Sequence, residues 1–341
     1  MTDLPIVISA PEPRTLDLIF RPDRLNELRA RYDIHEVETD GLADLPDEVL
    51  AEARYVIGQP PIDEATLARM KNLRCVFNVE GNLFLNMPYA RLFERGIHVV
   101  TTMEVFARPV AEIGLGLALD LLRDITEADL AFRKGREAWG LDGNGHARLL
   151  TGADIGLIGF GSIGRSLLPL LQPFRPRLRI YDPWLPPSSI TDAGAEPSDL
   201  DTVLSESDVV FVLASVTDEN EGFLDSQAFA RMRPGAAFIL LSRAGVVDFD
   251  DLVAAVQSGH IRAASDVFPQ EPMPEAHPVR NLTGFLRSAH RAGALDVAFK
   301  AMGDMVLEDM ALVDRGLPPI RCKRAERETV AKMRSKPVDK S

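Results

Sequence analysis

The pattern of apolar and polar positions divides the chain into two series of alternating strands and helices. In the first hundred or so residues, short β-rich runs alternate with amphipathic stretches of helical period. The predicted strands are RTLDLIF, ARYVIGQ, RCVFNVE and IHVVTT, and the predicted helices are RPDRLNELRARY and DEATLARMK. This alternation is typical of a parallel sheet whose strands are joined by crossover helices.

The second series follows a long helical pattern. An unbroken apolar periodicity from Val110 to about Lys134 predicts one long helix that leaves the first series. A polar, glycine-containing stretch separates it from five further predicted strands, ADIGLIGF, RLRIYD, DVVFVLA, AAFILLS and IRAASDV. A last helical pattern, ALDVAFKAMGDMVLEDMALVDRG, ends at glycine and prolines. It predicts a second long helix, which is expected to cross back to the domain formed by the first series. We therefore predict an α/β protein with two parallel-sheet domains, Rossmann-like or flavodoxin-like, and an active-site cleft between them.

Length and composition support two domains of an ordinary globular protein. The chain has 341 residues, of which 46% are hydrophobic and 26% charged, and it contains no apolar run of the roughly 18 residues that a membrane span needs. No secretory signal is recognisable and only Cys75 and Cys322 are present, so a cytoplasmic protein without membrane contact is expected. The net charge of −13 opposes a nucleic-acid partner. Residues 318–341 carry eight Lys or Arg and three acids, and a solvated or packed tail is favoured over a nucleic-acid arm.

One glycine-rich stretch carries the first chemical signal. Gly159, Gly161 and Gly164 form G-x-G-x-x-G between a predicted strand and a predicted helix. In such a turn the first glycine permits the tight bend, the second lets a pyrophosphate approach the backbone and the third allows close helix packing. Asp182 follows 18 residues after Gly164, where a carboxylate accepts both ribose hydroxyls of NAD and repels the 2′-phosphate of NADP. The alternative is a βα turn that binds no cofactor.

Three later segments offer groups for hydride chemistry on a carbonyl. Transfer of a hydride to a carbonyl carbon needs a proton donor for the oxygen and a cation for the substrate. Arg243 in LLSRAGVVD suits a carboxylate, because a guanidinium can donate two parallel hydrogen bonds to the two carboxylate oxygens. Glu271 in DVFPQEP would stabilise the imidazolium form of His290 in RSAHRAG, which then donates a proton to the substrate oxygen. The alternative is that His290 is structural and that the two charged residues are solvated.

Taken in chain order, these and further segments resemble one family. The residues that carry the resemblance are VAE at 110–112, Trp139, GLIGFGSIG at 156–164, YDP at 181–183, Thr217 with DENEGF, MRPGA at 232–236, SRAGVVD at 242–248, SDVFPQEP at 265–272 and H-x-x-G at 290–293. From about residue 50 to 315 the chain resembles the NAD-dependent D-isomer-specific 2-hydroxyacid dehydrogenases. The resemblance implies an oxidoreductase that transfers a hydride between NAD(H) and a D-2-hydroxy acid or 2-oxo acid pair.

The resemblance also implies roles for individual residues. Arg243, Glu271 and His290 would be catalytic, and Gly81 and Asn82 would bind substrate together with Arg243. The residues that would bind the cofactor are Gly159, Gly161, Ser162, Ile163, Gly164, Asp182, Ser215, Thr217, Ser242 and Asp266. No metal is expected. The resemblance implies a homodimer that forms through the cofactor domains. The substrate domain is predicted over 1–115 and 295–330, the NAD-binding domain over 116–294 and a basic tail over 331–341.

Several positions depart from the family pattern and concern the substrate. Phe106 stands where an asparagine is usual, Ala244 replaces a glycine, and Ser215 replaces a proline. Arg108 and Arg291 could provide a second positive contact for a phosphate or a second carboxylate. The alternative is that each forms an ordinary surface or interdomain ion pair with one of the many acidic residues of the chain.

The candidate substrates are acids of the glyoxylate, hydroxypyruvate or D-lactate size class, or bulkier sugar-derived acids. Phosphoglycerate dehydrogenase is an alternative, although the added regulatory domain of many such enzymes is not seen. An NAD-sensing, corepressor-like binding protein is the alternative of another class, because such proteins can keep the Arg, Glu and His set.

Overall fold

The chain folds as two compact α/β units, each built around its own sheet. The structure is a computed structural model and describes residues 4–332. The first unit contains the described residues up to Phe106 and from Ala294 onward, and the second unit is Ala107–Gly293. Residues 333–341 of the predicted basic tail lie outside the described part.

A six-stranded sheet forms the first unit. Its strands are β1 (Ile6–Ala10), β2 (Asp33–Glu36), β3 (Ala53–Gly58), β4 (Cys75–Asn78), β5 (His98–Thr101) and β13 (Lys323–Arg324), in the order β13-β5-β4-β3-β1-β2. All neighbours pair in parallel except β13, which is antiparallel to β5. The helices are α1 (Leu16–Ile19), α2 (Pro22–Arg31), α3 (Asp47–Glu52), α4 (Glu64–Arg69), α5 (Tyr89–Glu94), α13 (Asp296–Val313) and α14 (Arg327–Lys332).

Alternate residues of these strands fill two apolar layers. Val7 of β1 and Tyr55 of β3 face one layer, which also contains Met302 and Met310 of α13. Their neighbours along the strands, such as Ile8, face the other layer. A strand buried on both faces needs this continuous apolar sequence.

The prediction of a strand in RTLDLIF is wrong. This segment contains the short helix α1, whose N-cap hydroxyl of Thr15 accepts a hydrogen bond from the Leu18 N–H at 3.2 Å. Leu16 and Ile19 are three residues apart, so both are buried on one side of the helix, which packs against α13. The first strand is instead IVISA, residues Ile6–Ala10, which the sequence analysis did not single out.

A seven-stranded parallel sheet forms the second unit. Its strands are β6 (Asp154–Ile158), β7 (Arg177–Tyr181), β8 (Glu196–Pro197), β9 (Val209–Val212), β10 (Ala237–Leu240), β11 (Arg262–Ser265) and β12 (Phe285–Arg287), in the order β12-β11-β10-β9-β6-β7-β8. Its helices are α6 (Ala107–Arg123), α7 (Ile125–Arg133), α8 (Ser162–Leu171), α9 (Pro187–Thr191), α10 (Leu200–Glu206), α11 (Ser226–Arg231) and α12 (Phe249–Gln257). The strand order reverses at β6, and ligands of such sheets bind beside this reversal.

The single long helix predicted from Val110 to Lys134 is wrong, because it is broken at Asp124. That residue has φ +54°, so α6 ends at Arg123 and α7 begins at Ile125. Two side chains form hydrogen bonds with the backbone groups that the break leaves without helical partners. The Asp120 carboxylate accepts the Thr126 N–H at 2.8 Å. Arg262 donates to the Leu121 carbonyl and forms an ion pair with Asp124. A helix whose backbone groups find such partners can end inside an apolar pattern.

The predicted fold class, α/β with two parallel-dominated sheets, is confirmed. Within residues 4–332, no helix combines the length and the apolar character needed to cross a membrane.

Candidate active site

The predicted site residues of the second unit lie at one edge of its sheet. Each follows the carboxyl end of a strand: Gly159 follows β6, Asp182 follows β7, Ser215 and Thr217 follow β9, Ser242 and Arg243 follow β10, Asp266 follows β11, and His290 follows β12. Because all these strands are parallel, their carboxyl ends share that edge. Residues from separate segments are thereby gathered at the edge where such sheets bind ligands.

The glycine turn has the backbone that a dinucleotide site requires. Gly159 has φ +94°, and a Cβ there would lie 2.7 Å from the Ala214 amide nitrogen. A Cβ on Gly164 would lie 3.0 Å from the ring of Phe160, so this glycine permits close packing. A Cβ on Gly161, the N-cap of α8, would meet no atom within 4 Å. Space in front of that helix start fits a pyrophosphate, which the helix dipole also favours.

Asp182 ties the end of β7 to this turn. Its Oδ2 accepts the Phe160 N–H at 2.8 Å and its Oδ1 accepts the Trp184 N–H at 2.9 Å. The carboxylate is thus fixed next to the glycine turn, at the distance along the chain expected for an adenosine ribose. The turn and the carboxylate together fit a nicotinamide dinucleotide.

The loop after β9 is held by a residue that sequence reasoning missed. Asn220 accepts the Thr217 N–H at 2.7 Å and donates to the Ser215 carbonyl at 2.8 Å. Its position in a turn-forming DEN stretch was the available signal. After β10, the Ser242 hydroxyl is buried and, among the residues that the structure describes, has no hydrogen-bond partner. An unpartnered buried hydroxyl at this edge fits a site that a ligand completes.

Arg243 is held in place at the end of β10. Its Nη1 donates to the Ser242 carbonyl at 2.7 Å. Burial lowers the pKa of Arg243, and the nearby charge of Glu271 acts in the opposite direction. A guanidinium that has lost part of its hydration binds an arriving carboxylate more strongly than a solvated one does.

His290 and Glu271 form a hydrogen-bonded pair. Nδ1 of His290 lies 2.6 Å from Oε2 of Glu271, and the other carboxylate oxygen accepts the Phe268 N–H at 2.9 Å. The two side chains are 46% and 37% exposed, so a substrate can reach the imidazole. Burial opposes ionisation of Glu271, but the bonds from His290 and Phe268, with the charges of His290 and Arg243, outweigh burial and lower its pKa. The carboxylate is therefore ionised and orients the imidazole.

Asp266 holds the turn that carries His290. Its carboxylate oxygens accept the N–H groups of Arg291 and Ala292 at 3.1 and 3.2 Å, and its carbonyl accepts the His290 N–H at 2.7 Å. His290 itself has φ +48°, a left-handed conformation that costs energy in any residue other than glycine. Asp266 is buried and stabilises this conformation. The family resemblance implies a cofactor-binding role for Asp266, which stays a prediction, and it does not indicate these contacts.

In the first unit, Gly81 and Asn82 lie in the loop after β4. The buried Asn78 organises this loop: its Oδ1 accepts the N–H groups of Glu80 and Gly81 at 2.9 and 3.0 Å, and its Nδ2 donates to the Asn82 carbonyl at 2.8 Å. Gly81 has φ +104°, which explains the glycine. Substrate binding by Gly81 and Asn82 stays a prediction.

The residues that depart from the family pattern are placed as follows. Phe106 packs edge to face on Phe299, with ring centroids 6.1 Å apart. Arg108 in the second unit is 82% exposed and donates to Glu112 at 3.2 Å, a pair at i and i+4. Arg291 is exposed. Both arginines thus lie at the surface of the second unit, as expected if they form ordinary surface pairs.

Comparison with known proteins decides the family. The model of the NAD binding domain of the D-isomer specific 2-hydroxyacid dehydrogenases matches residues 115–292. The chain belongs to this family. The resemblance predicted from the sequence is confirmed.

Three relatives illustrate the family's range. A glyoxylate reductase of Thermofilum pendens is 32% identical over 267 residues, covering 76% of this chain and 77% of that protein. A D-3-phosphoglycerate dehydrogenase of Mycobacterium leprae is 28% identical over 92% of this chain but only 58% of its own length. The crystal structure of a phosphoglycerate oxidoreductase from Rhizobium etli superposes with a TM-score of 0.88 and is 61% identical, covering 95% of this chain and 99% of that one.

Membership in this family establishes the reaction class. The protein is an oxidoreductase that uses NAD(P) and acts on a small hydroxy or oxo acid, as predicted.

Proposed function

We propose that this protein is a D-2-hydroxyacid dehydrogenase, or 2-oxoacid reductase, in which His290 exchanges the proton and Arg243 binds the substrate. The observation that carries the proposal is the 2.6 Å pair of His290 and Glu271 at the sheet edge where Arg243 also lies. A histidine that is oriented by a carboxylate and still exposed is the arrangement that general acid–base catalysis requires.

Arg243 is the group for the substrate carboxylate. Its planar guanidinium offers paired N–H donors that match a carboxylate, and partial burial raises the strength of the contact. Ser242 fixes one side of the guanidinium, because its carbonyl accepts a hydrogen bond from Nη1.

His290 handles the proton. Nδ1 faces Glu271, so Nε2 gives a proton to the substrate oxygen during reduction and takes one from the hydroxyl during oxidation. Glu271 stabilises the imidazolium that exists between these events. A bound nicotinamide supplies or accepts the hydride at the carbon.

We propose NADH as the preferred cofactor over NADPH. The fixed carboxylate of Asp182, at the end of β7, suits two ribose hydroxyls and repels a 2′-phosphate. The predicted cofactor contacts of Ser162, Ile163, Ser215, Thr217 and Ser242 belong to the same proposal.

Phosphoglycerate dehydrogenase activity is the second candidate function. The observation that favours it is the similarity to the Rhizobium etli phosphoglycerate oxidoreductase, 61% identical over 95% of this chain.

We also propose a homodimer formed through the second unit. Several large apolar side chains of that unit are exposed: Ile125, Phe132, Trp139, Leu141 and Leu149. The rings of Phe132 and Trp139 lie 6.4 Å apart and form a patch that a second copy would cover. Analytical ultracentrifugation tests this: Leu141→Asp should yield monomer, and an unchanged dimer would exclude this patch.

The experiment for the main proposal is NADH oxidation with glyoxylate, hydroxypyruvate, its phosphate, pyruvate and a branched 2-oxo acid. Wild type should turn over at least one of them, and Arg243→Gln should lower its kcat/KM on the order of 100-fold. Arg231→Gln, an exposed arginine of the same unit, is the matched control. Bound NADH without turnover of any acid would contradict the proposal and favour an NAD-sensing protein.

A further inference from the structure

Trp184 is a large aromatic residue at the carboxyl edge of the second sheet. It lies two residues after Asp182, in the loop that follows β7, and it is 49% exposed. One exposed aromatic side chain is ordinary on a protein surface, and what distinguishes Trp184 is its position beside the glycine turn and Asp182. The contacts of this loop show how that position is fixed.

The backbone of Trp184 is held by the carboxylate of Asp182. The Trp184 N–H donates to Oδ1 at 2.9 Å, while Oδ2 of the same carboxylate accepts the Phe160 N–H of the glycine turn at 2.8 Å. The Asp182 carbonyl accepts the Leu185 N–H at 3.4 Å, so residues 182–185 form a tight turn. One carboxylate therefore ties the backbone of Trp184 to the glycine turn.

The order of the strands places a second loop on the other side of the glycine turn. β6 lies between β9 and β7, so the loops after β9 and β7 flank the turn that follows β6. They begin two strand spacings apart, about 10 Å, which leaves room for a flat base between them. The loop after β9 begins with Ala214 and Ser215, whose side chains are too small to cover a base. Trp184, in the loop after β7, offers a much larger apolar face.

We propose that Trp184 binds the adenine base of the cofactor by stacking its indole ring on the base. Aromatic side chains bind nucleic bases through their faces, and adenine offers such a face. The inference rests on the proposed function, in which Asp182 binds the adenosine ribose, because the base is attached to that ribose. Asp182 then selects between NADH and NADPH, whereas Trp184 contributes affinity that both cofactors share, since both contain adenine.

The competing explanation is that Trp184 only shapes the turn that positions Asp182. The two explanations differ in cofactor preference. If the indole ring stacks on adenine, Trp184→Ala raises the Kd for NADH and the Kd for NADPH by the same factor. If Trp184 only shapes the turn, the same variant displaces the Asp182 carboxylate and changes the ratio of the two Kd values.

Titration calorimetry with ADP-ribose measures the contribution of Trp184 without turnover. This ligand contains the adenine and the pyrophosphate but no nicotinamide. Trp184→Ala should raise its Kd about tenfold, and Trp184→Phe, which keeps an aromatic face, should raise it less than about threefold. Trp139→Ala is the matched control, because Trp139 is 74% exposed in the same unit and packs on Phe132. It should leave the Kd for ADP-ribose unchanged.

Tryptophan fluorescence gives a second readout that needs no change at Trp184. The chain contains two tryptophans, so Trp139→Phe leaves Trp184 as the only one. Saturating ADP-ribose should quench the emission of this variant, because a stacked base contacts the indole ring. This measurement tests the inference even if Trp184→Ala does not fold.

Three results would overturn the inference: a Kd for ADP-ribose in Trp184→Ala within about twofold of wild type, a changed ratio of the NADH and NADPH Kd values, or Trp184 emission that ADP-ribose does not alter. The proposed function is judged separately, by turnover of a 2-oxo acid and its dependence on His290. A protein that reduces the acid through His290 but binds ADP-ribose equally well without Trp184 would keep the proposed function and exclude this role.

Discussion

The imidazole Nδ1 of His290 lies 2.6 Å from Oε2 of Glu271, and this contact determines which ring nitrogen is available to a substrate. The other carboxylate oxygen is held by the Phe268 N–H, so Glu271 cannot swing away without losing that bond as well. The pair therefore acts as one unit, with the proton exchanged at Nε2.

Replacement of Glu271 by Gln should weaken both catalysis and stability. Turnover at neutral pH should fall on the order of tenfold, less than the roughly 100-fold expected for loss of the histidine itself, because the imidazolium loses its carboxylate. Steady-state kinetics with the best 2-oxo acid measure this. Glu275→Gln, an exposed glutamate of the same loop, is the control and should leave turnover unchanged.

The stability effect of Glu271→Gln should depend on pH. Despite burial, the hydrogen bonds of Glu271 lower its pKa from the usual 4.5. A carboxylate whose pKa is lower in the folded protein stabilises the fold above its unfolded pKa and loses this contribution as pH falls through the folded pKa. Urea unfolding should show a gap between wild type and variant that is full at neutral pH and narrows below about pH 4.5. A gap independent of pH would contradict this account.

Asp266→Asn should loosen the turn that carries His290. The amide keeps one acceptor, so either the Arg291 or the Ala292 N–H loses its partner in a buried site. We expect a loss of about 1–3 kcal/mol in the free energy of unfolding, together with a lower kcat. Asp250→Asn, exposed on α12, is the control. A variant that changes only the KM for NADH would assign Asp266 to the cofactor and not to the turn.

Two glycine substitutions should separate folding from cofactor binding. Gly161→Ala meets no atom within 4 Å, so the melting temperature should stay near that of wild type while the Kd for NADH rises about tenfold or more. Gly159→Ala combines φ +94° with a Cβ 2.7 Å from the Ala214 nitrogen, so it should lower the melting temperature. Fluorescence titration and thermal unfolding measure the two effects. Unchanged NADH affinity in Gly161→Ala would exclude the pyrophosphate from this helix start.

Asp182→Asn should shift cofactor preference toward NADPH. The amide oxygen can still accept the Phe160 N–H, so the glycine turn is preserved, while the exposed Trp184 N–H loses its acceptor and the repulsion of a 2′-phosphate is removed. The ratio of kcat/KM for NADPH to that for NADH should rise on the order of tenfold, about 1.4 kcal/mol. Asp192→Asn, exposed in the same unit, should leave the ratio unchanged.

The second unit was predictable from sequence because local patterns and site residues coincide there. The five strands predicted there coincide with β6, β7, β9, β10 and β11, and the residues after β6, β7, β10 and β11 carry the motifs. The break at Asp124 was not predictable, because it depends on Arg262, which is distant in sequence. Apolar periodicity alone cannot show a partner of that kind.

The first unit shows where patterns fail. RTLDLIF has a β-rich composition, yet capping by Thr15 and packing on α13 make it helical. The contacts of Asn78 with Gln59 and of Arg14 with Phe299 also join segments that no short motif connects. Roles that depend on such distant contacts became visible only in the folded chain.

The central claim is that His290 is the proton donor in hydride transfer to a 2-oxo acid. Its most direct test is single-turnover oxidation of bound NADH by the best 2-oxo acid in wild type and His290→Ala, with NADH affinity measured in parallel. We predict a loss on the order of 100-fold or more in the rate of hydride transfer with little change in NADH affinity. A variant that retains the rate within about tenfold of wild type would contradict the claim.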